Sequence, residues 1–112
     1  MNEKVEVDGN VDSNMEQTLL LVKGLSDNKE DAKEYVKKLA NAILSVHSKY
    51  NIAHLRCVGA AAINNTIKAF IIAKGEANKA GRRLFIDPSF TSVSFDDGES
   101  KTAILFEVKQ LK

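Results

Sequence analysis

Residues 66–73 read TIKAFIIA, a run with Lys68 as its single charged residue. Wound as an α-helix at 3.6 residues per turn, eight residues cover more than two turns, so the apolar surface circles most of the helix. Such a helix cannot lie on a sheet with its other side in water. It needs cover on a second side, from another helix of the same chain or from a second copy of the protein. Every architecture for this chain has to supply that cover.

The flanking pattern supplies the sheet. Residues 18–23 (TLLLVK) form a short continuous apolar run ended by Gly24, which suits a strand buried on both faces. From Lys29 to Lys49, the positions Ala32, Val36, Leu39, Ala40, Ile43 and Val46 recur at helical spacing, opposite Lys33, Glu34, Lys37, Lys38 and Asn41. That is an amphipathic helix, with Asn51 as a left-handed stop. A second strand is expected over 53–58, and a second helix over 60–74 with Gly75 as its terminator. Residues 84–87 and 90–96 read as one strand interrupted at Pro88. Asp97-Gly98 is a hairpin signal, and 102–109 alternates as a last strand. The order β-α-β-α-β-β predicts a two-layer α/β sandwich: two helices on one face of a mixed four-stranded sheet.

The 112 residues suffice for one domain. Residues 1–17 lack any hydrophobic period and are expected to be a disordered acidic tail, leaving 18–112 as the domain. The tail holds one lysine and five acids, net −4, and the remainder 15 basic against 10 acidic residues, net +5. An acidic leader thus precedes a basic body, and basic bodies attract polyanions. No run is long enough to span a bilayer and the start does not resemble a signal peptide, so a cytoplasmic protein without membrane contact is expected, nucleoid-associated or nuclear as alternatives. Cys57 is the only cysteine. Disulfides are excluded, and a buried thiol is expected.

Catalysis finds no pattern. His47 and His54 lack the spacing of a metal site, Cys57 has no neighbouring base, and Asp96, Asp97 and Glu99 surround a turn where acids are turn formers. No glycine-rich phosphate cradle is present. The expectation is a protein that is not an enzyme, with no cofactor and no metal.

The segment VGAAAINNTIKAFIIAKG (58–75) resembles the second helix of the stage V sporulation protein S family, through Gly59-Ala60, Ala62, Asn64, Lys68-Ala69 and Ile72-Ala73-Lys74-Gly75. Pro88, Phe90-Thr91, Asp97-Gly98-Glu99 and Thr102-Ala103-Ile104 are similar too, and Val22, Ser26 and Asn28 match loosely. The resemblance implies an Alba-like fold, a homodimer, and binding of DNA or RNA through the loop after the first strand, the start of the second helix and the final hairpin. Ala61 and Asn65 stand where Alba proteins are basic. The acidic tip Asp96-Asp97-Gly98-Glu99 would be repelled by phosphates.

On that basis three groups are candidates for nucleic-acid contact. The loop with Lys23, Ser26, Asn28 and Lys29 offers cations and helix-start N–H groups. The alternative is that Asp27 and Asn28 only cap a helix. Lys74, Lys79, Arg82 and Arg83 offer charge and forked donors, or are a solvated loop. Asn64 and Asn65 offer hydrogen bonds to a backbone or base edge. Lys68, Ile67, Phe70 and Ile71 are candidates for the dimer interface, with Lys68 reaching a partner carboxylate. The function expected is a dimeric nucleic-acid-binding protein using mainly phosphate contacts. The alternative is a dimeric protein-interaction module.

Overall fold

The computed structural model describes residues 5–7, 15–24 and 29–111. Its elements are β1 (Val5–Val7), β2 (Leu19–Val22), α1 (Lys29–Tyr50), β3 (Ala53–Cys57), α2 (Ala60–Lys79), β4 (Leu84–Phe95) and β5 (Ser100–Gln110). From β2 onward the order is the expected β-α-β-α-β-β, a mixed four-stranded sheet with two helices. One short strand is added. Val5–Val7 lies antiparallel to the far end of β4, in register with Phe95–Val93, so the sheet runs β1-β4-β5-β3-β2. The leader was expected to lack structure. It contributes this edge strand and a turn at Met15–Thr18, where the Thr18 amide donates to Met15 O at 3.0 Å.

β2 pairs in parallel with β3, and β5 sits antiparallel between β3 and β4. The run expected to be buried on both faces is instead an edge strand, with Leu21 exposed. The alternation of β3 explains its place. Ala53, Leu55 and Cys57 turn toward the helices, whereas His54 and Arg56 turn to the opposite face, and all five are buried. From β5, Phe106 and Val108 join the same core. Val36, Leu39, Ala40 and Ile43 of α1 cover it, as the helical spacing requires. α2 meets the core through Ala62, Ala69, Ala73 and Ala77. Alanine at i, i+4 and i+8 keeps this contact face thin, so the helix backbone lies close to both α1 and the sheet.

The ends of the helices test the sequence signals. Asn51 stops α1 in the left-handed region at φ 65°, as expected. Gly75 does not stop α2, which continues one turn to Lys79. A helical glycine costs about 1 kcal/mol against alanine, and here burial of Ala77 two residues later offsets it. The stop falls at Gly81, φ 81°, where the amides of Gly81 and Arg82 return to Asn78 O and Ala77 O. Lys74 and Lys79 are therefore helical residues. Pro88 does not interrupt β4 either; the strand is continuous through twelve residues.

Candidate nucleic-acid interface

The loop after β2 is pinned on both sides. The Lys23 amide donates to the Tyr35 hydroxyl of α1 at 2.8 Å, and the Asn65 amide of α2 donates to Lys23 O at 2.9 Å. Gly24 lies directly on the first turn of α2: a Cβ there would stand 2.9 Å from Ala61 Cβ and 3.1 Å from the Ala62 nitrogen. No side chain caps α2, and its first turn holds no acid. The partial positive charge of a helix start is thus left uncompensated beside the exposed Lys23.

From this end a groove of about 660 Å³ runs between α1 and α2, lined by Ala32, Lys33, Val36, Lys37, Asn65, Lys68, Ile71 and Ile72. Lys33 and Lys37 stand one turn apart on α1, and Lys68 faces them from α2. Among the described residues no carboxylate lies within ion-pair distance of any of the three. Three ammonium groups over an apolar floor can hold an anion, and their like charge favours one there.

The expected residues separate. Asn64 is exposed, but Asn65 is buried and its amide holds the Lys23 carbonyl, so Asn65 is a brace and not a contact. Ser26 and Asn28 lie outside the described residues, as does the Lys29 side chain. Lys74 and Arg83 are exposed. Lys79 pairs with Glu76 at 3.2 Å. Arg82 donates to His47 Nδ1 at 3.1 Å. The second cluster sits at the C-terminal end of α2. Asn64 and Lys79 are fifteen residues apart, about 22 Å of helix. The two expected clusters do not form one patch on one chain. Lys33 and Lys37 were missed because, before α2 is placed beside them, they read as a solvated helix face; their i, i+4 spacing flanking Val36 was the available signal.

Of the dimer candidates, Phe70 is buried in the core of its own chain and presents nothing to a partner. The i+3 and i+4 spacing from Thr66 and Ala73 turns it inward. Ile67 is half-buried, whereas Ile71 is 61% and Ile72 42% exposed. α1 therefore supplies part of the second cover that the apolar helix needs, and leaves this strip open.

On the face of the sheet without helices, His54 is bracketed by Thr18 Oγ1 at 2.9 Å and a Glu107 carboxylate oxygen at 3.4 Å. Arg56 is 4% exposed with Nη1 unpartnered, and burial pulls its guanidinium below its ordinary pKa. Lys109 donates hydrogen bonds to Asp87 and Glu107, which hold it above its usual range. Cys57 donates to or accepts from Thr66 Oγ1 at 2.9 Å, and burial pushes its thiol up. A thiol kept protonated is a poor nucleophile. Among the described residues no three metal-ligating side chains come together, and no helix is long and apolar enough to cross a membrane.

These features define a class: two-layer α/β sandwiches in which two crossover helices lie on one face of a mixed sheet that a C-terminal hairpin completes. Residues 29–111 match the family model of Stage V sporulation protein S, and the chain belongs to that family. The Alba-like architecture expected from the resemblance is consistent with it. The family's description ties the chain to sporulation.

Proposed function

We propose that the protein is a homodimer that binds nucleic acid, DNA or RNA, mainly through phosphates, and catalyses no reaction. The carrying observation is the set of ammonium groups, Lys33, Lys37 and Lys68, unpaired among the described residues, that line the groove leading from Lys23 and the uncapped start of α2. Such contacts are salt-sensitive and weak in sequence preference.

The open strip of Ile71 and Ile72 supports the dimer. Two α2 helices packed antiparallel across this strip would cover Ile71 and Ile72. They would also bring the Lys23 end of one protomer beside the Lys74–Arg83 end of the other. The two separated clusters then join into one basic track, which is the layout a polyanion needs. The acidic hairpin tip, Asp96, Asp97 and Glu99, stays outside that track.

A gel shift with duplex DNA, single-stranded DNA and RNA at two salt concentrations tests the proposal. With about four to six phosphate contacts, log K on duplex falls against log salt with a slope of roughly −4 to −5. Absence of binding to all three at low salt would overturn it. The apolar floor of the groove favours a second reading, a module that docks an acidic protein segment. Retention of a protein partner by nuclease-treated material, with nucleic acid lost, selects that one.

A further inference from the structure

On the nucleic-acid reading, we infer that Phe90 is a stacking platform for an unpaired nucleobase, which gives the protein a preference for single-stranded or looped substrate. Phe90 is 78% exposed, the most open of the large apolar side chains in the described residues. It stands on a strand that pairs with β5 along eleven consecutive positions, so the ring is carried by a rigid element. By register it lies opposite Ile104, which in turn lies opposite Cys57 of β3. Phe90 therefore shares the helix-bearing face and the same row of the sheet as the residue two before the N-cap of α2.

A pocket of about 400 Å³ opens beside the ring, lined by Phe90, Thr91, Ser92 and Thr102. Ser92 and its cross-strand partner Thr102 place hydroxyls on the face of Phe90, whereas Thr91 turns to the opposite face and is buried. One aromatic face edged with hydroxyls matches a base, which presents a π-face and a rim of hydrogen-bond donors and acceptors. The phosphate groups lie within reach. Three strand spacings, about 14 Å, separate the Phe90 row on β4 from Val22 and its neighbour Lys23 on β2. The nearest acid of the hairpin tip, Asp96, lies six residues on, just past the end of β4, about 20 Å away and beyond the screening length at physiological salt. A strand whose backbone follows the lysines can therefore lay one base on Phe90 without meeting those carboxylates.

The chain contains no tryptophan, so Phe90→Trp introduces a single indole, excited at the red edge where its two tyrosines do not absorb. Titration of this variant with a single-stranded oligonucleotide should quench the indole; duplex of the same sequence should leave it unchanged. Phe90→Ala should lose roughly 5- to 150-fold in single-strand affinity, the range for removing one base–aromatic stack, with duplex affinity and melting temperature unmoved. If single strands bind normally to Phe90→Ala and leave the indole bright, stacking is overturned while phosphate binding stands. If the wild-type protein binds no nucleic acid at low salt, the underlying reading falls with it. A Phe90→Ala variant whose only change is a shifted monomer–dimer equilibrium would assign the ring to contact between copies and overturn the inference.

Discussion

Arg82 donates a guanidinium N–H to Nδ1 of His47 across 3.1 Å, tying the last turn of α1 to the segment that follows α2. Because Arg has no acceptor, Nδ1 must carry the lone pair and the imidazole proton sits on Nε2. That Nε2 is buried and has no partner among the described residues. Protonating the ring would place a second positive charge against Arg82.

The consequence is a pH dependence of definite sign. Burial first, and Arg82 second, hold the folded His47 below its ordinary value of 6.5. The unfolded chain therefore binds more protons from about pH 6.5 downward, and stability falls as pH drops through that window until the folded group also titrates. Urea midpoints measured from pH 8 to pH 5 should decline, and His47→Gln should flatten the decline. An identical slope in the variant would mean that another group is responsible.

Two glycines should respond oppositely to alanine. At Gly24 the new Cβ meets Ala61 Cβ and the Ala62 backbone, neither of which can swing away. Gly24→Ala should destabilise by about 1–3 kcal/mol. Gly75 lies within α2 with open space where its Cβ would stand, so Gly75→Ala should stabilise by about 0.5–1 kcal/mol. Thermal melts of the pair read both signs at once.

Much of the architecture was legible because it depends on local period. The amphipathic α1 and the Asp97-Gly98 turn stand where their patterns put them, and the run 18–23 is a strand, though at the edge of the sheet and not buried on both faces. What was not legible depends on partners far along the chain. Gly75 reads as a terminator until Ala77 is seen to be buried. Asn65 reads as a free amide until the Lys23 carbonyl, 42 residues away, takes it. Arg82 reads as a free cation until His47 is placed beside it. Phe70 and Ile71 are neighbours in one apolar run, and only the packed helix decides that the first is core and the second surface. The site was half visible for the same reason: Lys68 was noticed as an anomaly, whereas its companions on α1 looked ordinary.

Neutralising the groove should act through phosphate number. Lys33→Gln, Lys37→Gln and Lys68→Gln should each reduce the salt slope by about one and weaken binding similarly for unrelated sequences. Lys109→Gln, whose ammonium is engaged by Asp87 and Glu107, should leave the slope alone. Fluorescence anisotropy over a salt series checks this, and equal slopes for wild type and the triple variant would remove the groove from the contact.

Arg56 offers a test of the sheet's other face. Its guanidinium is buried, with Nη1 unpartnered and no counter-ion among the described residues, and a buried charge left so opposes folding. Arg56→Met keeps the length and removes the charge. The variant should unfold at equal or higher denaturant concentration than wild type. A clear loss of stability would show that the guanidinium is held by a favourable partner in the folded protein.

The place of β5 has a consequence for synthesis. Leu55 pairs with Phe106 across half the chain, and β5 is the strand through which β3 and β4 are joined. While the ribosome is still translating that last hairpin, the two crossover helices have no completed floor to rest on, and β3 offers an unfilled edge along its whole length. Such exposure is a route to aggregation. Folding of this domain therefore waits for β5, and a nascent chain stalled before residue 100 should be the form that chaperones hold.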